Sequence, residues 1–238
     1  MILALETATT ACSAALCAAD GSVVAETVAL EGPAHTQRLL PGVHQVLREA
    51  GAGWADVDTV AVGLGPGAFT GLRIGIATAR ALAQADGRVR LAGVPTPAAL
   101  ALALARAPEA AAPASGAAAR ALVPLIDGKR REVFAAVFAA SGDGLGVVED
   151  VAVVRADDLG GWLERLGEVL VGGDGAVLYA GMLPASAGSV AGVAAPTAAM
   201  VGRAVAAGVP GLVWGADAVL PLYGRAPDAA RWVGKGAW

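Results

Sequence analysis

The chain has 238 residues, of which 56% are hydrophobic and 16% charged, and a formal net charge of −4. That composition excludes a disordered chain and supplies apolar material for one large domain or two smaller ones. The acidic balance argues against a protein that grips nucleic acid unaided, and the short basic clusters (Lys129-Arg130-Arg131, Arg88 with Arg90, and Arg225 with Arg231 and Lys235) read as solvated faces.

The N-terminal run ILALE predicts a buried strand ending on an acid, Glu6. TATT is turn material and ACSAALCAA a second strand of small residues. Cys12 and Cys17 lie five apart, so on one strand they point to opposite faces and do not bridge. Asp20-Gly21 marks a hairpin, and SVVAETVAL returns as a third strand. MILALETATT lacks a basic leader and carries Glu6 within its apolar stretch, which argues against a signal peptide and for a cytoplasmic protein. A helix follows over HTQRLLPGVHQVLREA. Leu39, Val43, Val46, Leu47 and Ala50 share one face and Gly51 closes the end. His35 and Thr36 open it, and Pro41 is tolerated in its first turns if the helix proper begins near Leu40. VDTVAVGLG reads as a buried strand, GPGAF as a turn, and a second helix runs to about Ala85.

Mean hydropathy is +0.61. The stretch GVPTPAALALALARA carries Pro95 and Pro97 and ends near Arg106, too short and interrupted for a membrane span. Residues 105–120 are rich in Ala and Pro and read as a connector between an N-terminal half, 1–104, and a C-terminal half, 121–238. After it the order restarts. RALVPLID is a strand ending on an acid, GKRRE a turn, VFAAVFAA the next strand, SGDG a turn, and LGVVEDVAVV the return. Glu6 aligns with Asp127, the mark of an internal duplication. LVGGDGAVL then reads as strand, glycine turn and helix start, and TAAMVGRAVAAG as a late helix.

Two glycine-rich templates fail at GLGPGAFTGLRIG: no lysine follows for a Walker loop, and Gly65, Gly67 and Gly71 do not space a dinucleotide fingerprint. Gly67, Gly71, Gly75, Ala79 and Ala83 recur every four residues, which suits close packing or partner approach along a helix. A phosphate at the helix start, near Gly65, Gly67 and Thr70, is the sharper alternative. Glu6 with Thr7, Thr9 and Thr10 offers either turn hydrogen bonds or a phosphate contact. His35 and His44, nine apart, share no helical face at metal-ligand spacing, and no nucleophile triad can be assembled. The residues point to no catalytic set and no metal site.

Two halves that each open on an acid-terminated strand and hairpin resemble the actin-like phosphotransferase architecture. That likeness implies an α/β, duplicated actin-like (ASKHA, ribonuclease H-like) fold with mixed sheets flanked by helices. It also leaves one enzymatic alternative, an ATP-dependent phosphotransferase using Glu6 and Asp127. The segments ILALETATTACSAAL, HTQRLLP, GLGPGAFTGLRIGIATARALA, VPLIDGKRREVFAAVF and PLYGR, in order over nearly the whole chain, resemble the TsaB (YeaZ) family. The resemblance implies a non-catalytic subunit for N6-threonylcarbamoyladenosine formation in tRNA. Its partners would be a TsaD-type paralogue that carries the metal and the transferase chemistry, a TsaE-type ATPase, and a second copy of itself. It implies contact with tRNA only through the complex and no membrane, with ATP or ADP bound only in the assembly. Where the TsaD-type paralogue has a His-x-x-x-His pair, this chain reads GVPTPAALALA, and Glu6 stands where the family usually has aspartate. Partner contacts are implied on the first two helices: Leu40, Val43, His44 and Leu47 on one, Arg73, Ile76, Ala77 and Arg80 on the other. Nucleotide contacts, if retained, fall at Glu6, Thr7, Gly65, Gly67, Thr70 and Asp127.

Overall fold

In the computed structural model, the residues described are 1–29, 35–111, 120–141 and 144–225. Arg231, Lys235, part of the SGDG turn and half of the 105–120 connector lie outside them. The first half runs β1 (Ile2–Glu6), β2 (Cys12–Cys17), β3 (Val23–Ala29), α1 (His35–Glu49), β4 (Thr59–Gly63), α2 (Phe69–Ala85), β5 (Arg90–Val94) and α3 (Thr96–Ala105). A single helical turn, α4 (Pro108–Ala111), precedes the second set. That set is β6 (Ala121–Asp127), β7 (Glu132–Ser141), β8 (Gly144–Arg155), α5 (Leu159–Glu164), β9 (Val169–Gly172), α6 (Asp174–Leu178), β10 (Ala187–Ser189), α7 (Ala198–Ala207) and β11 (Val213–Trp214).

The strands form two mixed sheets whose orders superimpose, β11-β5-β4-β1-β2-β3 and β10-β9-β6-β7-β8. In each, an acid-terminated strand pairs antiparallel with the next and parallel with the first strand after the meander: β1 with β2 and β4, β6 with β7 and β9. The duplication read from Glu6 and Asp127 is therefore a duplication of topology. Helices α3 and α7 lie between the sheets, and their apolar residues share one core with β1, β2, β6 and β7. The chain after residue 198 returns to the first half. Helix α7 packs on β1 and β2, and β11 pairs with the outer edge of β5. Gly202 makes this approach possible, because a Cβ there would lie 2.5 Å from Cys17 Sγ.

Cys12 and Cys17 are buried free thiols on opposite faces of β2. Cys17 sits in the core between the sheets and Cys12 in the core under α1 and α2. Helix α1 begins at His35, not near Leu40, and Pro41 lies inside it. Proline there withholds one N–H from the Gln37 carbonyl. Both residues are exposed, so water can take that acceptor and the helix continues. No helix among the described residues is long and apolar enough to cross a membrane.

Candidate functional site

Glu6 ends β1 with no solvent exposure. Its Oε1 accepts the N–H groups of Thr7 and Ala8, both at 2.7 Å, and its Oε2 accepts the Thr96 hydroxyl at 3.0 Å. Thr96 Oγ1 in turn accepts the Gly65 N–H at 3.1 Å. Gly63 leaves the carboxylate its space, since a Cβ there would lie 2.1 Å from Glu6 Oε2. Burial pushes the Glu6 carboxyl up from 4.5 to about 7, against the opposing pull of those hydrogen bonds. Both carboxylate oxygens are thus engaged by this chain, in a clamp that joins β1, the turn after β4 and the start of α3.

The turn after Glu6 is held just as closely. Thr7 Oγ1 donates to the Gly71 carbonyl at 2.9 Å, and Thr9 Oγ1 accepts the Ala11 N–H. The Thr9 carbonyl lies 3.0 Å from His35 Nε2. The small-residue stripe of α2 faces this turn. A Cβ at Gly67 would lie 2.0 Å from Ala8 O, one at Gly71 2.1 Å from Thr7 O, and one at Gly75 2.2 Å from Thr7 Oγ1. The stripe therefore serves internal packing, and its continuation Ala79 and Ala83 is buried in the same core. Gly65 is buried with φ of +88°, whereas Thr70 is exposed on the first turn of α2.

The residues expected at a partner interface divide by burial. Val43 and Ile76 belong to the core beneath α1 and α2, at 3% and 5% exposure, so neither can meet a partner in this fold. The reason is the placement of α1 on β2 and β3 and of α2 on β4 and β5, which turns the apolar face of each helix inward. Leu47 packs partly against that core. Leu40, His44, Arg73 and Ala77 remain exposed. Arg80 is half-buried, and its guanidinium donates to the Ala216 carbonyl.

Asp127, the counterpart of Glu6, lies in a different setting. It borders a cavity of about 470 Å³ between the halves, walled by the start of α2, the β6–β7 turn and the segment Tyr223–Arg225. Gly67 reaches this cavity too, but Glu6, Thr7, Gly65 and Thr70 do not line it. Asp127 accepts the Lys129 N–H at 2.8 Å and pairs with Lys129 Nζ at 2.6 Å. Its own N–H donates to Asp174 Oδ1 at 3.1 Å. Asp174 is pushed up to about 6, chiefly by burial and further by the charge on Asp127. Lys129, Arg130 and Arg131 all adopt left-handed backbone, with φ of 61°, 55° and 59°. Non-glycine residues hold that conformation at a cost of roughly 1–2 kcal/mol each, so the turn is strained where it presents its cations. Among the described residues, no three His, Cys, Asp or Glu side chains converge as metal ligands.

Sequence reasoning missed Thr96, Asp174 and the ring pair Phe69–Tyr223. Thr96 opens a helix after Pro95 and Asp174 opens one after a glycine turn, signals of capping that say nothing about a carboxylate on a distant strand.

The family model for TsaD, tRNA N6-adenosine threonylcarbamoyltransferase, matches residues 16–165, more than half of the chain. The solved structure of YeaZ from Pseudomonas aeruginosa is 29% identical with a TM-score of 0.72, covering 93% of this chain and 98% of its own. A second solved structure, described as similar to the peptidase YeaZ from the same organism, is 30% identical with a TM-score of 0.73, covering 94% and 99%. The chain belongs to the TsaB (YeaZ) family. The broader TsaD match and the two superimposable sheets fit the duplicated actin-like fold of that family. Among curated relatives, the tRNA threonylcarbamoyladenosine biosynthesis protein TsaB of Escherichia coli is 50% identical over 74 residues, 31% of each chain. An uncharacterized protein of Mycobacterium leprae is 44% identical over 78 residues, 32% of this chain and 22% of that one. The matched stretches thus span under a third of these relatives' lengths.

Proposed function

We propose that the chain is a non-catalytic subunit that docks a TsaD-type threonylcarbamoyltransferase and supports N6-threonylcarbamoyladenosine formation in tRNA. The observation that carries this reading is the sealed Glu6. In a cleft enzyme the acid at the end of the first strand has to face its ligand. Here each carboxylate oxygen is taken by Thr7, Ala8 or Thr96, and the adjoining glycines hold the turn against α2. The likeness to YeaZ over nearly the whole chain, and the name of the Escherichia coli relative, supply the pathway.

On this reading the outer face of α1 and α2 is the docking and self-association surface, with Leu40 and His44 on one helix and Arg73 and Ala77 on the other. A TsaE-type ATPase completes the assembly, ATP or ADP binds only there, and tRNA is held mainly by the partners. The cellular site is the cytoplasm. Two measurements test this. Deleting the gene should abolish the modified nucleoside by mass spectrometry of total tRNA, with restoration by the intact chain. Co-purification with a TsaD-type partner should be lost in Leu40→Asp or Ala77→Asp while the fold is kept. Normal modification after deletion, or retained partner binding in both variants, would refute it.

A further inference from the structure

The cavity between the halves carries chemistry that docking does not use. Its floor and one wall are basic: Lys129 and Arg130 from the strained β6–β7 turn, and Arg225 from the C-terminal segment. Each has an interaction within the protein, Lys129 with Asp127 and Arg225 with Glu132. With Arg73 at the rim, four cations gather at this cavity, on a chain whose formal net charge is −4. The other wall is aromatic. Phe69 and Tyr223 stack with centroids 5.2 Å apart, Arg73 lies 3.8 Å over the Phe69 ring, and Arg73 Nε donates to the Tyr223 hydroxyl at 3.1 Å. The rings are nonetheless 50% and 42% exposed, so ring surface stays open at the cavity mouth.

Cations beside an exposed aromatic stack are the elements of single-strand nucleic-acid recognition: phosphates meet the charges and an unpaired base meets the ring. We propose that this cavity takes one unpaired nucleotide of an RNA strand, its base on the Phe69–Tyr223 stack and its phosphate at Lys129, Arg130 and Arg225. A strand is favoured over a free nucleotide by the position of the rings at the open mouth, where a chain can enter and leave. The inference rests on the tRNA reading above and adds to it a direct contact between this subunit and the RNA.

The test uses the full chain and a single-stranded RNA of about eight nucleotides, a length within the usual site size, carrying one 2-aminopurine as stacking reporter. Fluorescence titration at low salt should show saturable quenching. Tyr223→Leu should weaken binding roughly tenfold and remove the quenching, while Tyr223→Phe keeps both. The double variant Lys129→Ala/Arg130→Ala should weaken binding and flatten its salt dependence by about two phosphate contacts. Arg88→Glu, on an exposed loop outside the cavity, should leave binding unchanged. Circular dichroism confirms that each variant is folded. The proposal is overturned if the Tyr223→Leu and double variants bind as the parent does, or if Arg88→Glu weakens binding as much as the double variant. Displacement of the strand by ADP at equal concentration would also overturn it, by assigning the cavity to a free nucleotide. These outcomes are separable from failure of the tRNA reading, which the deletion strain reports independently. A chain required for modification that binds no strand refutes this inference alone.

Discussion

The sealed Glu6 makes a quantitative prediction about stability against pH. Its carboxyl is raised from 4.5 to about 7, mainly by burial. In the unfolded chain it ionises near the lower value, so between the two the folded state holds a proton that the unfolded state has released. Stability from this group is therefore full below about pH 4.5, falls as pH rises, and levels off above about pH 7. At about 1.4 kcal/mol per pKa unit the span amounts to about 3 kcal/mol. Glu6→Gln removes the titration while keeping the shape and one oxygen acceptor for the Thr7 and Ala8 N–H groups. Urea unfolding of both proteins from about pH 5 to about pH 8 should show the variant gaining on the parent by about 2–3 kcal/mol. Asp174, also raised by burial, is present in both proteins and drops out of the difference to first order. A difference that stays flat across this range would refute the reasoning, because it would mean that the carboxylate is ionised in the fold without penalty.

Three further outcomes follow from the packing. Gly75→Ala places a methyl 2.2 Å from Thr7 Oγ1 and should lower stability by about 1–3 kcal/mol or more. Gly87→Ala, with nothing within 4 Å, should change thermal unfolding little. Val43→Asp buries a charge in the core and should fail to fold, whereas Leu40→Asp should melt near the parent temperature, as read by circular dichroism. Calorimetry of the isolated chain with Mg-ATP should show no binding that depends on Glu6. Micromolar affinity lost in Glu6→Ala with the fold intact would favour a phosphotransferase.

Much of the frame was legible because strand order follows local patterns. Acid-terminated apolar runs, a hairpin signal at Asp20-Gly21 and glycine turns before helices mark both sheets without any long-range information. The five-residue spacing of Cys12 and Cys17 was enough to set them on opposite faces. Exposure on α1 and α2 was not legible to the same degree. On α1 the helical period already set Val43 with Leu39 and Val46 on one face; placing Val43 at a partner surface came from the family resemblance, and the packing of α1 on β2 and β3 turns it inward. The return of α7 and β11 to the first sheet was hidden, since nothing local to Ala198–Ala207 records that Cys17 awaits Gly202.

The glycine-rich stretch GLGPGAFTGLRIG acquires its meaning from the residues it packs against. Gly63 clears space for a carboxylate that reaches back to the Thr7 and Ala8 N–H groups and sideways to Thr96, while Gly67, Gly71 and Gly75 admit the turn that follows it. Glutamate rather than aspartate supplies the additional methylene that spans these three donors. In the second half the corresponding acid is the shorter Asp127, and its partners are the strained basic turn and Asp174 rather than a threonine. Duplication thus placed two acids at equivalent strand ends. One was closed into the scaffold, leaving the other half of the cleft as the place where charge and aromatic surface still face outward.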